Sequence, residues 1–353
     1  MTFCTKRRNL VLRGASAPRL LLVLFTLREN RSPSLTFLAL LIFACVATMP
    51  AMAQDYLLFC NQPERMKIPG AYATAKLAAG KSYTIFYHYN NVSGESGPFV
   101  VGLRNAQGGP LRLVARQGLA DAQRDPARAG RQAMARYLSA PENQLVGTKG
   151  FAQFAYPLQP GQIASGILTI ECESDALLRI YFRHDRWDVA HSEVNPMENP
   201  RRDVDIILAN EGDEEYYRIG QPEPAIKRNL DGAYGMMYRF KIAAPEGWKV
   251  RVAFSPRGGH GALVGSVDGN LKQTPMIAAS QWRVFYEGVS GANGISLTTA
   301  PFGGIAYPVE MHFRLTRPSA KEEKAYWDRV AALSRLLPSR KISSGSTVPV
   351  IVR

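Results

Sequence analysis

Histidine and cysteine are both scarce in this chain, five and four in 353 residues, and the scarcity excludes much chemistry. Nucleophilic hydrolysis needs a serine or cysteine within reach of an imidazole. None of His88, His184, His191, His260 and His312 stands in a Gly-x-Ser-x-Gly or His-Glu-x-x-His setting. His88 and His312 fall inside strand-like runs, where a packed or hydrogen-bonded imidazole is expected. The densest set of possible metal ligands, His184, Asp185, Asp188, His191 and Glu193, matches no metal-binding spacing and reads as a solvated linker. Gly258, Gly259, Gly261, Gly265 and Gly269 lie between strands, and no Lys-Ser or Lys-Thr pair follows them, so hairpins are expected rather than a phosphate loop. The reading is a protein without catalytic residue, cofactor or resident metal.

Long apolar runs are lacking too, apart from one. Leu35 to Thr48 has the length of a secretory h-region, and Ala51-Met52-Ala53 supplies the small-x-small cleavage site, predicting cleavage before Gln54. The run is too short for a lasting membrane span and is broken by Pro50, so no transmembrane segment is expected in the mature chain. A second apolar patch, Leu20 to Phe25, lies upstream, which suggests translation starting between Val23 and Leu27 with Arg28 and Arg31 as the n-region. Export would remove Cys4 and Cys45, leaving Cys60 and Cys172, each at the end of a strand-like run. Two cysteines in an oxidising compartment allow one pairing, so a Cys60–Cys172 disulfide is expected, with two buried thiols as the alternative.

The net charge of +14 suggests nucleic acid until it is divided. Residues 1–53 hold seven basic side chains against Glu29, so +6 leaves with them and +8 remains over 300 residues. That thin excess suits an anionic cell-wall polymer or polysaccharide, and it is not the focused stripe that binds a phosphate backbone.

Beyond residue 54 the texture is short β-branched and aromatic runs punctuated by Gly, Pro and Asn, the pattern of β-sandwiches. The fold class expected is all-β: two tandem antiparallel β-sandwich domains over 54–184 and 204–317, joined by a linker at 185–203. The Ser82–Asn90 run carries aromatics at both parities and is expected to be a central strand. One helix interrupts the first domain, with Asp125 as N-cap and Pro126 at its first position. Ala127, Gly130, Met134 and either Tyr137 or Leu138 form its apolar face, and the helix is expected to lie against the sheet as a crossover. Gly70-Ala71-Tyr72 and Gly232-Ala233-Tyr234, each followed by similar runs, suggest that the second half repeats the first. The region 318–353 opens with a capping box, Ser319 to Glu322, leading a helix with Trp327, Val330, Leu333 and Leu337 on one stripe. Val348 to Val352 could then add an edge strand.

These points favour a secreted, non-enzymatic binding or structural protein at the cell envelope. A carbohydrate-binding module, or the accessory part of a carbohydrate-active enzyme, is the second reading. Tyr72, Tyr89, Tyr216, Tyr217, Trp187 and Phe302 are then candidate platform residues, most of them expected in the core, with Glu211, Asp213, Glu214 and Glu215 as candidate carboxylates. An extracytoplasmic metal-binding protein using His184 and His191 is the third.

The chain also resembles a group of uncharacterised secreted bacterial proteins, some of which carry a stalk domain like the N-terminal one of copper amine oxidases. The likeness rests on Asn61 to Glu64, Tyr87 to Asn90, Gly130-Arg131 with Tyr137-Leu138, Pro256 to Gly259 with Gly265 and Gly269, and Phe302 to Gly304 with Pro308-Val309. It implies a secreted two-sandwich architecture and no activity.

Overall fold

A computed structural model of the chain describes residues 55–61, 64–147, 150–185, 192–198, 200–221 and 232–336. The first sandwich contains β1 (Asp55–Phe59), β2 (Arg65–Met66), β3 (Gly70–Leu77), β4 (Ser82–Asn91), β5 (Gly97–Asn105) and β6 (Leu111–Leu119). Helix α1 (Pro126–Ser139) precedes β7 (Asn143–Gly147), β8 (Phe151–Leu158), β9 (Ile163–Cys172) and β10 (Ala176–Phe182). Two short strands follow, β11 (Ser192–Glu193) and β12 (Met197–Glu198). The second sandwich runs through β13 (Arg201–Ile207), β14 (Glu214–Ile219), β15 (Met237–Ala243), β16 (Lys249–Pro256) and β17 (Val264–Val267). It is completed by β18 (Asn270–Gln273), β19 (Arg283–Val289), β20 (Ile295–Thr299) and β21 (Val309–Thr316), after which comes helix α2 (Ala320–Leu336).

The two sandwiches share one topology. In the first, a sheet ordered β1-β4-β9-β6-β7 faces one ordered β3-β10-β5-β8; in the second, β13-β15-β20-β17-β18 faces β14-β21-β16-β19. Each step of the first has its counterpart in the second, including the parallel pairing of the opening strand, β1 with β4 and β13 with β15. The duplication expected from the sequence is therefore present in the pairing, but not at the residues that suggested it. Gly70 opens β3, whereas Gly232 to Tyr234 precede β15, the counterpart of β4. The described residues of the expected linker include strands: β11 and β12 pair with β3 and β1 at the sheet edges, and Arg201 already begins β13.

The β4 run is central, between β1 and β9. Its Tyr83, Ile85, Tyr87 and Tyr89 enter the first core, where Tyr87 and Tyr89 pack on Phe99 from the facing sheet. Period-two alternation sends Thr84, Phe86 and His88 to the outer face, and that face is covered in its middle by the second sandwich. Phe86 stacks on Tyr234 at 5.9 Å, and Leu57 and Phe86 belong to the same apolar cluster as Met236, Phe240 and Phe313. The two cores are thus joined through the outer face of a sheet, and burying so many large apolar side chains there makes the junction a structural element rather than a hinge.

Helix α1 is the wedge in this junction. Asp125 caps it, its carboxylate accepting from the Arg128 N–H at 3.1 Å, with Pro126 at the first turn as expected. The helix lies on its own sheet as expected, and its larger apolar side chains meet the second sandwich as well. Ala127, Met134 and Leu138 join Ala262, Val264, Phe302 and Ile305 of the second sandwich, while the small residues Ala129 and Ala133 lie against Ala120 and Ile163 of the helix's own sheet. Close approach requires glycine on both sides. A Cβ at Gly118 would run into the Ala133 carbonyl and Tyr137, and one at Gly130 would overlap the Gly303 carbonyl.

The expected Cys60–Cys172 disulfide is not formed: both residues are buried free thiols. Strand register explains why. Phe59 pairs with Phe86, which puts Cys60 level with Tyr87, and Ser82 pairs with Glu171, which puts Cys172 level with Lys81. Six residues along a strand are about 20 Å, far beyond the roughly 7 Å between Cα atoms that a disulfide can span. Burial raises both thiol pKa values, Cys172 to about 11, so neither is a reactive thiolate at neutral pH.

Helix α2 opens on the expected capping box: the Ser319 hydroxyl and backbone N–H donate to Glu322 Oε2 at 2.7 and 3.0 Å. Its contacts with the second sandwich include Lys249–Glu322 at 3.1 Å and Tyr326 to Glu246 at 3.0 Å, and Trp327 remains 45% exposed. No helix among the described residues is long and apolar enough to cross a membrane. The expected export segment and the Val348 to Val352 strand lie outside the described residues.

Candidate ligand-binding face

The outer face of the β14-β21-β16-β19 sheet carries an ordered arrangement of rings and charges. Antiparallel register sets Tyr216 of β14 opposite His312 of β21, and His312 opposite Ala253 of β16. Tyr216 and His312 stack across the strand pair with centroids 4.4 Å apart and planes within 6°, a favourable cross-strand aromatic pair. Trp282, just before β19, is inclined at about 70° to both rings, 5.6 Å from His312 and 6.2 Å from Tyr216. The small side chain of Ala253 leaves room beside this third ring, and Ala253, Trp282 and Val284 line a surface depression with Arg251 and Arg283. Tyr216 is 54% and Trp282 44% exposed, two of the few large hydrophobic side chains left in solvent.

Charged residues flank the rings on both sides. Two positions along β14 and β21, Arg218 faces Glu310, and the Glu310 carboxylate is held by Arg218 Nε at 3.1 Å and by Arg257 Nε at 2.8 Å. Burial alone would raise the Glu310 pKa, but hydrogen bonds and charge from Arg257 and Arg218 outweigh it and hold the carboxyl below its ordinary value. Arg257 also lies over the Trp282 ring at 5.3 Å, fixing that ring against the sheet. On the other side, Glu214 meets Arg314 at 3.3 Å and His312 Nε2 at 3.4 Å, while Arg251 faces Glu287 at 3.8 Å. Tyr216 keeps its proton more tightly than a free tyrosine, through desolvation first and the Glu214 carboxylate second. Arg283 has no ion partner among the described residues, so the face carries a small positive excess.

The arrangement offers apolar ring surface flanked by fixed donors and cations. Sugar rings present that complement, with C–H faces that lie on aromatics and hydroxyl or carboxylate edges that meet arginine. It does not offer a hydrolytic carboxylate pair. Glu214 and Glu310 stand four residues apart along adjacent strands, and both carboxylates are engaged in ion pairs, Glu214 with Arg314 and Glu310 with Arg218 and Arg257. Glu310 also has a lowered pKa, opposite to what a general acid requires.

Of the platform residues expected from sequence, only Tyr216 is well exposed. Tyr72, Tyr89 and Phe302 are buried, Tyr217 is half-buried against Tyr238 and Phe240, and Trp187 lies outside the described residues. Trp282 and His312 complete the face; His312, expected as a packed or hydrogen-bonded imidazole, is packed on Tyr216 and lies 3.4 Å from Glu214, on the outer face of the sheet. The candidate carboxylates separate likewise. Asp213 accepts from the N–H groups of Ala209 and Asn210 at 2.8 Å each, closing a turn, while Glu214 and Glu215, adjacent on β14, point to opposite faces. Of the proposed metal cluster, Asp185 pairs with Arg179 at 2.9 Å, and Asp188 and His191 lie outside the described residues. No group of His, Cys, Asp and Glu among the described residues is placed to hold a metal ion. The Gly258 to Gly261 run connects β16 to β17, which lie in different sheets, so it is a crossover between the two layers and not the expected hairpin; of the glycines expected in hairpins only Gly269 stands in a hairpin turn, between β17 and β18.

No family model matches the chain, and neither does any curated protein. Among solved structures, one that resembles it is the N-terminal CBM22-1–CBM22-2 tandem domain of Xyn10C from Paenibacillus barcinonensis, 10% identical, covering 66% of this chain and 83% of that one with a TM-score of 0.16. So loose a superposition transfers no site or ligand.

Proposed function

We propose that this protein is a secreted, non-catalytic glycan-binding protein whose ligand face is the Tyr216–His312–Trp282 platform on the second sandwich. The carrying observation is that three rings, two of them exposed, are held in one compact cluster by strand register and by Arg257, with an arginine-rich flank on either side. An exposed cluster of rings costs solubility, and a protein that needed only a stable sheet would cover it or replace it with polar residues. The positive excess favours acidic over neutral polymers, in keeping with the thinly spread charge of the sequence.

Affinity electrophoresis through gels containing polygalacturonate, xylan or mixed-linkage β-glucan tests this reading. Retardation by the acidic polymer is expected, reduced about tenfold or more in Trp282→Ala and in Tyr216→Ala, the loss of roughly 1–2 kcal/mol per stacked ring. Migration unaffected by any of the polymers, or variants retarded like the native chain, would overturn it.

A further inference from the structure

The strands that join the two sandwiches are packed only over part of their length. Outward positions along β4 and its neighbours run from apolar (Leu57, Phe86, Ile167), where the second sandwich is seated, to polar (Asp55, Ser82, Thr84, Thr169, Arg116). The outer face of the β13-β15-β20-β17 sheet presents Asp203, Arg239, Lys241, Ser266, Ser296 and Thr298 toward the same space. Between these polar ends, under the end of α1, lies a cleft of about 720 Å³. That volume is within the range of small-molecule sites.

Its walls are organised before any ligand arrives. The Tyr137 hydroxyl is 2.6 Å from that of Thr169, which is 3.1 Å from that of Thr84, giving a chain of three hydroxyls along one wall. Arg201–Asp55 at 2.9 Å and Arg116–Glu142 at 3.6 Å satisfy two of the four basic side chains. Arg239 and Lys241, two residues apart on β15 and so on one face, have no ion pair among the described residues. A hydroxyl chain that both donates and accepts matches sugar hydroxyls, and adjacent unpaired cations match a carboxylate.

We infer that this cleft is a second binding site, separate from the ring platform, for a short saccharide bearing a carboxylate. Its walls come from both sandwiches, so the fused junction holds the two halves of the site in register.

Titration calorimetry of the full chain with trigalacturonate, cellotriose and inorganic phosphate tests this, using the double variant Arg239→Ala/Lys241→Ala, the single variant Thr84→Val, and Trp282→Ala. Trigalacturonate should bind, at least tenfold more weakly in the double variant and several-fold more weakly in Thr84→Val, and unchanged in Trp282→Ala; cellotriose should bind much more weakly. Binding lost in Trp282→Ala but kept in the double variant would place the ligand on the platform and overturn the cleft assignment, leaving the platform reading intact. Phosphate binding as tightly as trigalacturonate would reduce the cleft to a simple anion site and overturn the saccharide assignment. No trigalacturonate binding would overturn the proposal outright, and thermal melting of each variant confirms that it is folded.

Discussion

His88 should make this protein acid-sensitive by an amount that can be worked out. The imidazole is 2% exposed on the outer face of β4, 2.9 Å from the Ser165 hydroxyl through Nδ1, with Nε2 unpartnered and Gly303 of the second sandwich packed on its ring. Burial pushes its pKa down to about 4, against about 6.5 in the unfolded chain. Between those values the unfolded state binds a proton that the folded state does not, so stability is fully present above about pH 6.5 and falls as the pH drops toward 4. At pH 4.5 the loss from this group alone is about 2–3 kcal/mol, a large share of the roughly 5–15 kcal/mol that holds a typical domain. Urea denaturation at pH 7.5 and 4.5, on the native chain and on His88→Gln, isolates it, because every other titrating group is common to both. The difference between the two pH values should be about 2–3 kcal/mol smaller in His88→Gln. Equal acid losses in both proteins would refute the claim that the junction keeps this imidazole dry and neutral.

Further outcomes follow from packing and charge. Gly130→Ala would stabilise an isolated helix by about 1 kcal/mol, but here the new methyl meets the Gly303 carbonyl. A net loss of about 1–3 kcal/mol is therefore expected in urea, and an increase in stability would show that the two sandwiches are not seated through α1. Alkylation of the denatured, unreduced protein followed by intact mass measurement should modify both Cys60 and Cys172, whereas a mass showing a bridge would contradict the strand register. Glu310→Gln should cost about 1–2 kcal/mol in chemical denaturation by leaving Arg257 and Arg218 without their carboxylate. Its stabilisation by charge is present above the ordinary glutamate pKa and lost as the pH falls through the lowered one, so at strongly acid pH the variant and native stabilities should converge.

Much of the fold was written locally. Most strands of the first sandwich are visible as β-branched and aromatic runs, the α1 start as Asp125-Pro126, and the α2 start as Ser319 to Glu322, because each depends on neighbours within a few residues. β14 was not: an acidic run such as Glu211 to Glu215 carries no local strand signal, yet Glu214 and Glu215 alternate across the sheet, and Glu214 is matched by Arg314, a hundred residues away. Missing that strand concealed the platform, since Tyr216 lies on it and His312 opposite. The same limit left part of the α1 packing unread: the helix lies on its own sheet as its stripe suggested, but nothing local marks that Met134, Leu138 and Gly130 also meet the second sandwich.

By itself, then, the sequence determined an all-β chain of two sandwiches with a capped helix in the first and another at the end, because alternation and capping act over short range. It also determined a chain poor in the residues of catalysis. Register and sheet order belonged to the tertiary structure alone. They set Cys60 and Cys172 about 20 Å apart along β4, assembled Tyr216, His312 and Trp282 into one face, and left a polar cleft where two sheets diverge. Each of these depends on which strand lies beside which, and that is decided by packing between segments that carry no local record of one another.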